Sequence, residues 1–142
     1  MEFKAYKMDG LGNDFVIIDQ RKNQIKLTED QIKKICDRNF IGCDQLIFIE
    51  SSKLSDANLK FFNSDGGESG ACGNGTRCVA KLISEETKSE NIILSTSIGN
   101  LESKILEEKV VETKLDPART NWKEIPLNRE LDTKNLNYKM SF

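Results

Sequence analysis

Ala71-Cys72-Gly73-Asn74-Gly75-Thr76-Arg77-Cys78 joins a glycine-rich loop to an amphipathic segment, and the fold is read outward from that junction. Five glycines fall within residues 66 to 75, so the backbone there turns tightly and approaches something closely. Past it, Cys78, Val79, Leu82 and Ile83 recur at i, i+1, i+4 and i+5, one apolar helix face. This spacing predicts a helix over about 74–86. Cys72 then stands just before a helix N-terminus, where unpaired N–H groups and the positive end of the dipole favour negative charge. The thiolate, the reactive form of cysteine, gains from that placement. Gly73, Asn74 and Gly75 would present bare N–H groups to an anion such as a carboxylate. A thiolate beside a carboxylate-binding nest suits removal of the α-proton of an amino acid. The local pattern leaves a plainer reading open, in which Cys72 is a small residue in a tight loop.

Upstream, Phe3–Met8 and Phe15–Asp19 read as strands, with Gly10-Leu11-Gly12-Asn13-Asp14 as the turn between them. Thr28-Glu29-Asp30-Gln31 resembles a capping box. Ile32, Ile35, Cys36 and Phe40 follow at helical spacing, which predicts an amphipathic helix over roughly 29–39. Leu46–Ile49 and Leu59–Phe62 are short strands. Downstream, Ile92–Leu94, Leu101–Leu106 and Val110–Leu115 are three more, with Gly99-Asn100 as a hairpin turn. Many short strands with only two helices make the expected class α+β.

The chain of 142 residues is 37% hydrophobic and 31% charged, enough to bury a core. Its 21 basic and 23 acidic residues leave a net charge of −2, without the basic stripe of a nucleic-acid binder. No apolar run is long enough to span a bilayer, and the N-terminus has no signal-peptide core. The expected location is the cytoplasm, where thiols stay reduced. The four cysteines, at 36, 43, 72 and 78, form no C-x-x-C pair, so no metal site is expected. Histidine is absent, which leaves acid–base chemistry to thiols, carboxylates, Lys and Tyr. Cys36 and Cys78 sit at apolar helical positions and read as core. Cys43, in a turn, reads as packing. Asn13, Asp14, Gln45, Asn63 and Asp65 each read first as turn formers, and Glu68 as a solvated loop carboxylate. From Asp116-Pro117 onward periodicity is weak, and composition suggests a tail or linker.

Four runs taken together change that picture. Lys7-Met8-Asp9-Gly10-Leu11-Gly12-Asn13-Asp14-Phe15, Gly42-Cys43-Asp44-Gln45-Leu46, Phe62-Asn63-Ser64-Asp65-Gly66 and Ala71–Cys78 resemble the diaminopimelate epimerase signature in order and spacing. Asn121-Trp122-Lys123-Glu124-Ile125-Pro126-Leu127 resembles that family's entry into a second domain. The resemblance implies an α+β domain of short strands wrapped around a central helix that starts after Cys72. It implies residues 1–116 as this N-terminal domain and 117–142 as the start of a second domain or a linker.

The implied reaction is inversion at one α-carbon of LL-diaminopimelate, giving the meso form for lysine and cell-wall precursors. No cofactor or metal takes part. One thiolate removes the α-proton and a second thiol donates a proton from the opposite face. By the resemblance Cys72 is the first of these thiols, Gly73 and Asn74 supply anion-binding amides, and Asn13, Gln45 and Asn63 contact the substrate. The implied partner is a small amino acid rather than nucleic acid or membrane, with a homodimer in the full-length enzyme. Asp9 and Cys43 depart from the family's usual residues. The resemblance covers essentially the whole chain but about the first half of the enzyme, so this polypeptide is expected to lack the second thiol and to be inactive alone. A racemase of another amino acid, or a carboxylate-binding half-domain without catalysis, are the alternative readings.

Overall fold

The computed structural model describes residues 3–107, 110–125, 130 and 132. Two strands, β1 (Ala5–Gly10) and β2 (Asn13–Asp19), form an antiparallel hairpin. They are followed by α1 (Glu29–Cys36), β3 (Gln45–Glu50), β4 (Ala57–Asn63) and the two-residue β5 (Glu68–Ser69). Then come α2 (Gly73–Thr87), β6 (Asn91–Thr96), β7 (Gly99–Glu107), β8 (Val110–Lys114) and one 3-10 turn at Trp122–Glu124. The strands make one mixed sheet in the order β1-β2-β3-β4-β6-β7-β8, with β5 paired to β4. Its two parallel pairs, β2 with β3 and β4 with β6, are each bridged in sequence by a helix. Parallel neighbours need such a crossover, whereas the antiparallel pairs close by shorter links.

Both faces of β2 and β3 are covered, which explains their unbroken apolar runs. Along β2, Phe15 and Ile17 join the core beneath α2, while Val16 and Ile18 face α1. Along β3, Ile47 and Ile49 take the α2 side and Leu46 and Phe48 the α1 side. From α2, Cys78, Val79, Ala80 and Ile83 enter the first core, and Ile32, Ile35 and Cys36 of α1 enter the second. α2 packs against β1 and β2 near one end of the strand order and against β6, β7 and β8 near the other. No described helix is long and apolar enough to cross a membrane, which says nothing of spans made by strands.

Several expectations are corrected. The first hairpin turns only through Leu11 (φ 57°) and Gly12 (φ 81°), and Asn13 and Asp14 are strand residues paired with Gly10 and Asp9. Two successive positive-φ residues match the right-handed twist of the flanking strands. Helix α1 stops at Cys36 because Asp37 takes an extended backbone (φ −59°, ψ 124°). Phe40 therefore lies beyond it, 60% exposed, with the Lys34 ammonium over its ring. The β6–β7 turn is Ser97-Ile98, and Gly99 and Asn100 already pair with Thr96 and Ser95. The Thr28 capping box is present as expected, its hydroxyl accepting from Gln31 N–H and Gln31 accepting from Thr28 N–H. Within 117–142, residues 126–129, 131 and 133–142, including Pro126, Leu127 and most of the polar run after them, lie outside the described residues.

Candidate active site

The starts of β2 and β3, the end of β4 and the N-terminus of α2 converge at one end of the sheet. Register puts Phe15 beside Gln45 and Gln45 beside Asn63, so Asn13, Gln45 and Asn63 occupy the same end of adjacent strands. The first turn of α2 lies over them because Gly75 has no side chain. A Cβ there would stand 2.6 Å from Ile47 Cδ1, 3.1 Å from Phe61 Cε1 and 3.3 Å from Phe15 Cε1. At Gly10, by contrast, a Cβ would make only ordinary van der Waals contact, 3.5 Å from the Asn74 carbonyl oxygen.

Cys72 is the N-cap residue of α2, with extended backbone (φ −146°, ψ 113°) and a side chain that makes no cap hydrogen bond. Its carbonyl accepts from both the Thr76 N–H and the Thr76 hydroxyl at 2.8 Å, which anchors the start of the helix. The thiol is thus left free of the capping task and is half-buried against the core beneath α2. Helical geometry leaves the N–H groups of Gly73, Asn74 and Gly75 without acceptors inside the helix. No acidic side chain occupies this first turn. The Arg77 guanidinium donates to Asn74 Oδ1, adding a cation to the same end.

Asn13 meets this helix end directly, its Nδ2 donating to Cys72 Sγ at 3.9 Å. Gln45 Nε2 donates to Asn63 Oδ1 at 2.8 Å. The side-chain oxygens of the two donors, Asn13 Oδ1 and Gln45 Oε1, are buried without a hydrogen-bond partner. Buried carbonyl oxygens rarely stay unpaired, since leaving one so costs about 1–3 kcal/mol. The two stand at the same end of adjacent strands, as acceptors without a donor. The sequence-predicted residues therefore form two contacting pairs, Cys72 with Asn13 and Gln45 with Asn63, and Gly73 and Asn74 adjoin Cys72 along the chain.

Other candidates have ordinary roles. Asp65 Oδ1 accepts from Gly67 N–H and Asn63 carbonyl from Gly66 N–H, so the turn reading of this loop holds. Cys36, Cys43 and Cys78 are buried. Burial, with the neighbouring Cys43 thiol, pushes the Cys36 thiol up to about 12, and burial pushes Cys78 up to about 11. Asp9 is an exposed strand residue lining a cleft with Arg77, Cys78 and β8. A further cleft lies at the far end of α2, between Arg21, Leu82 and Glu86, and Cys72 belongs to neither. Among the described residues no group of three or more His, Cys, Asp or Glu gathers as a metal site.

Beside the site stands a charged cluster that sequence reasoning did not assemble. Arg38 donates to both oxygens of Asp14, at 2.6 and 2.8 Å, and to Asp44 Oδ1 at 2.7 Å. Lys7 Nζ donates to Asp14 Oδ2 at 2.6 Å. The Arg38 guanidinium, then Lys7 and the Asp44 N–H, hold the Asp14 carboxyl well below the usual carboxylate range against the opposing effect of burial. Asp14 and Asp44 are the chain neighbours of Asn13 and Gln45.

The family model for diaminopimelate epimerase matches residues 5–120. The chain belongs to this family. It is 61% identical over 136 residues to the diaminopimelate epimerase of Pelagibacter ubique, an alignment covering 96% of this chain and 50% of that protein. With the diaminopimelate epimerase of Phenylobacterium zucineum it shares 42% identity over 131 residues, 92% of this chain and 47% of that one. The chain thus spans about half the length of the curated relatives it matches. Among solved structures, a phenazine biosynthesis protein of the PhzF family from Bacillus anthracis superposes with a TM-score of 0.59 at 23% identity. That match covers 80% of this chain and 39% of the other, and shows the shared fold. In this member of the diaminopimelate epimerase family the run Ala71–Cys78 spans the start of α2, beside the strand ends that hold Asn13, Gln45 and Asn63.

Proposed function

We propose that this chain supplies one half of an epimerase active site that inverts one α-carbon of LL-diaminopimelate to the meso form, with Cys72 as one of two acid–base thiols. The observation that carries the reading is the Asn13–Cys72 contact at the N-terminus of α2, beside two buried amide oxygens that lack donors. In this reading the free N–H groups of Gly73 and Asn74 hold the substrate α-carboxylate. Asn13, Gln45 and Asn63 take its polar groups, and the unpaired oxygens of Asn13 and Gln45 accept from an ammonium.

The chemistry balances without an oxidant or a cofactor. One thiolate takes the α-proton, the electron pair rests briefly on the α-carbon, and a second thiol returns a proton to the opposite face. Carboxylate binding at a helix N-terminus stabilises the charge that develops next to it. One fixed thiol cannot serve both faces. Residues 1–142 supply Cys72 for one face, with Cys36, Cys43 and Cys78 assigned to packing. We assign 1–116 to an N-terminal domain whose sheet curls around α2 as a central helix, and 117–142 to the start of a second domain or a linker. The small amino-acid substrate, a homodimer of the full-length enzyme and a cytoplasmic setting belong to the same proposal.

The test joins residues 1–142 to the second half of the Pelagibacter ubique relative and follows LL-diaminopimelate in deuterium oxide. The joined protein should invert the α-carbon and place deuterium there, and Cys72→Ala should abolish both. Residues 1–142 alone should give no inversion. Inversion by that polypeptide alone would overturn the one-thiol assignment. A joined protein inactive on diaminopimelate yet active on another amino acid would overturn the substrate.

A further inference from the structure

The ladder between β2 and β3 begins at Phe15 beside Gln45, which itself carries one of the site amides. Beyond that point the chains are held by a reciprocal exchange. Asp44 N–H donates to the Asp14 carbonyl and to Asp14 Oδ1, both at 3.0 Å, while Asp14 N–H donates to Asp44 Oδ2 at 3.1 Å. Arg38 then spans both carboxylates, with a two-pronged grip on Asp14 and a single bond to Asp44. Lys7 adds a bond to Asp14 and another to the Gly42 carbonyl, tying β1 to the loop that leads into β3.

We infer that Arg38, acting through Asp14 and Asp44, is a positioning residue that fixes Asn13 and Gln45 in register in front of Cys72. The inference rests on the role proposed above for those two amides. Asn13 and Gln45 each keep one buried oxygen without a partner, so their own hydrogen bonds do not fully fix them. Besides the strand pairing, a constraint comes from the residue adjoining each of them. Asp14 follows Asn13 and Asp44 precedes Gln45, so clamping the two carboxylates sets the backbone from which both amides project. The Arg38 side chain is 58% exposed, and exposed ion pairs add little to stability. Its geometric effect is the larger one, because a planar guanidinium holds two carboxylates at a defined separation in a way that an ammonium cannot.

The test reads the side-chain amide resonances of Asn13 and Gln45 in the ¹⁵N-labelled chain without substrate, assigned through Asn13→Ala and Gln45→Ala. Arg38→Met should displace both amide signals toward the positions of solvent-exposed amides while signals from β6 and β7 stay in place. Arg38→Lys should fall between the two. Asp44→Ala, which keeps the Arg38–Asp14 grip, should displace Gln45 more than Asn13 and serves if Arg38→Met unfolds. Amide signals unmoved in folded Arg38→Met, or unmoved in Asp44→Ala, would overturn the inference. Because no turnover is measured, this result is independent of the isotope experiment above.

Discussion

A Cβ placed on Gly75 would stand 2.6 Å from Cδ1 of Ile47, so the first turn of α2 lies directly against β3. Ile47, Phe61 and Phe15 are all fully buried, so the added methyl group can be admitted only by a shift within the core. Gly75→Ala should therefore be destabilising although alanine is the better helix former. Overpacking costs roughly 1–3 kcal/mol and the helix gains about 1, for a net loss of up to about 2 kcal/mol. Urea unfolding measures this, and a variant as stable as the parent chain would show that the helix can lift off the sheet. The same variant should lose the Asn13–Cys72 contact, since any lift moves Cys72 outward.

Asp14 makes the fold acid-sensitive. Its folded carboxyl is held low, chiefly by Arg38, so the unfolded state takes up a proton first as pH falls. The stabilisation is complete well above the unfolded value of about 3.9 and drains away as pH drops below it. Asp19, lowered mainly by Arg21, acts in the same direction. Stability of the parent chain should fall between about pH 5 and pH 2, and Asp14→Asn should be less stable at pH 7 yet show a shallower fall. Parallel urea-midpoint profiles for the two proteins would contradict this.

Much of this arrangement was legible in the chain, and the rest was hidden for identifiable reasons. The helix after Cys72 could be read because Cys78, Val79 and Ile83 must share one buried face. The continuous runs Phe15–Ile18 and Leu46–Ile49 pointed to strands covered on both sides. The extension of β1 and β2 through Gly10 and Asn13 was not readable, because it rests on cross-strand pairing and on a leucine in the left-handed region. Phe40 misled because an apolar residue at helical spacing need not lie on a helix. Within the site, Cys72 announced itself through its glycines and the helix start. Its contact with Asn13 spans 59 positions, and the grip of Arg38 on Asp14 spans 24. Such pairings follow from strand order, which no local period encodes.

The four thiols should separate cleanly by reactivity. Cys36, Cys43 and Cys78 are 3%, 1% and 6% exposed, and burial pushes the first and last of them up. Buried neutral thiols are poor nucleophiles. Cys72 is half-buried at a helix N-terminus with its thiol uncommitted to capping. Iodoacetamide at pH 8 should label Cys72 first, with the others following only as the chain opens. Peptide mass mapping over time would show this, and equal labelling of all four in the folded chain would refute it.

Asn13 should prove more important to reactivity than to stability. Its Nδ2 reaches the Cys72 sulfur at 3.9 Å, a long contact to a weak acceptor, while its Oδ1 is buried and unpaired. Removing an unpaired buried oxygen relieves a desolvation penalty of about 1–3 kcal/mol, which offsets the small packing loss on truncation to alanine. Asn13→Ala should therefore unfold within about 0.5 kcal/mol of the parent chain, or above it. On the proposed mechanism, the same change in the joined protein removes a donor to the thiolate and an acceptor for the substrate. Deuterium incorporation should fall by roughly 10²-fold or more, the scale of losing one preorganised hydrogen bond. Residues that serve a ligand commonly leave the fold less stable than it could be, and this pairing of unchanged stability with lost exchange is its signature. A variant that loses several kcal/mol of stability while its folded fraction exchanges at the parent rate would make Asn13 a structural residue instead.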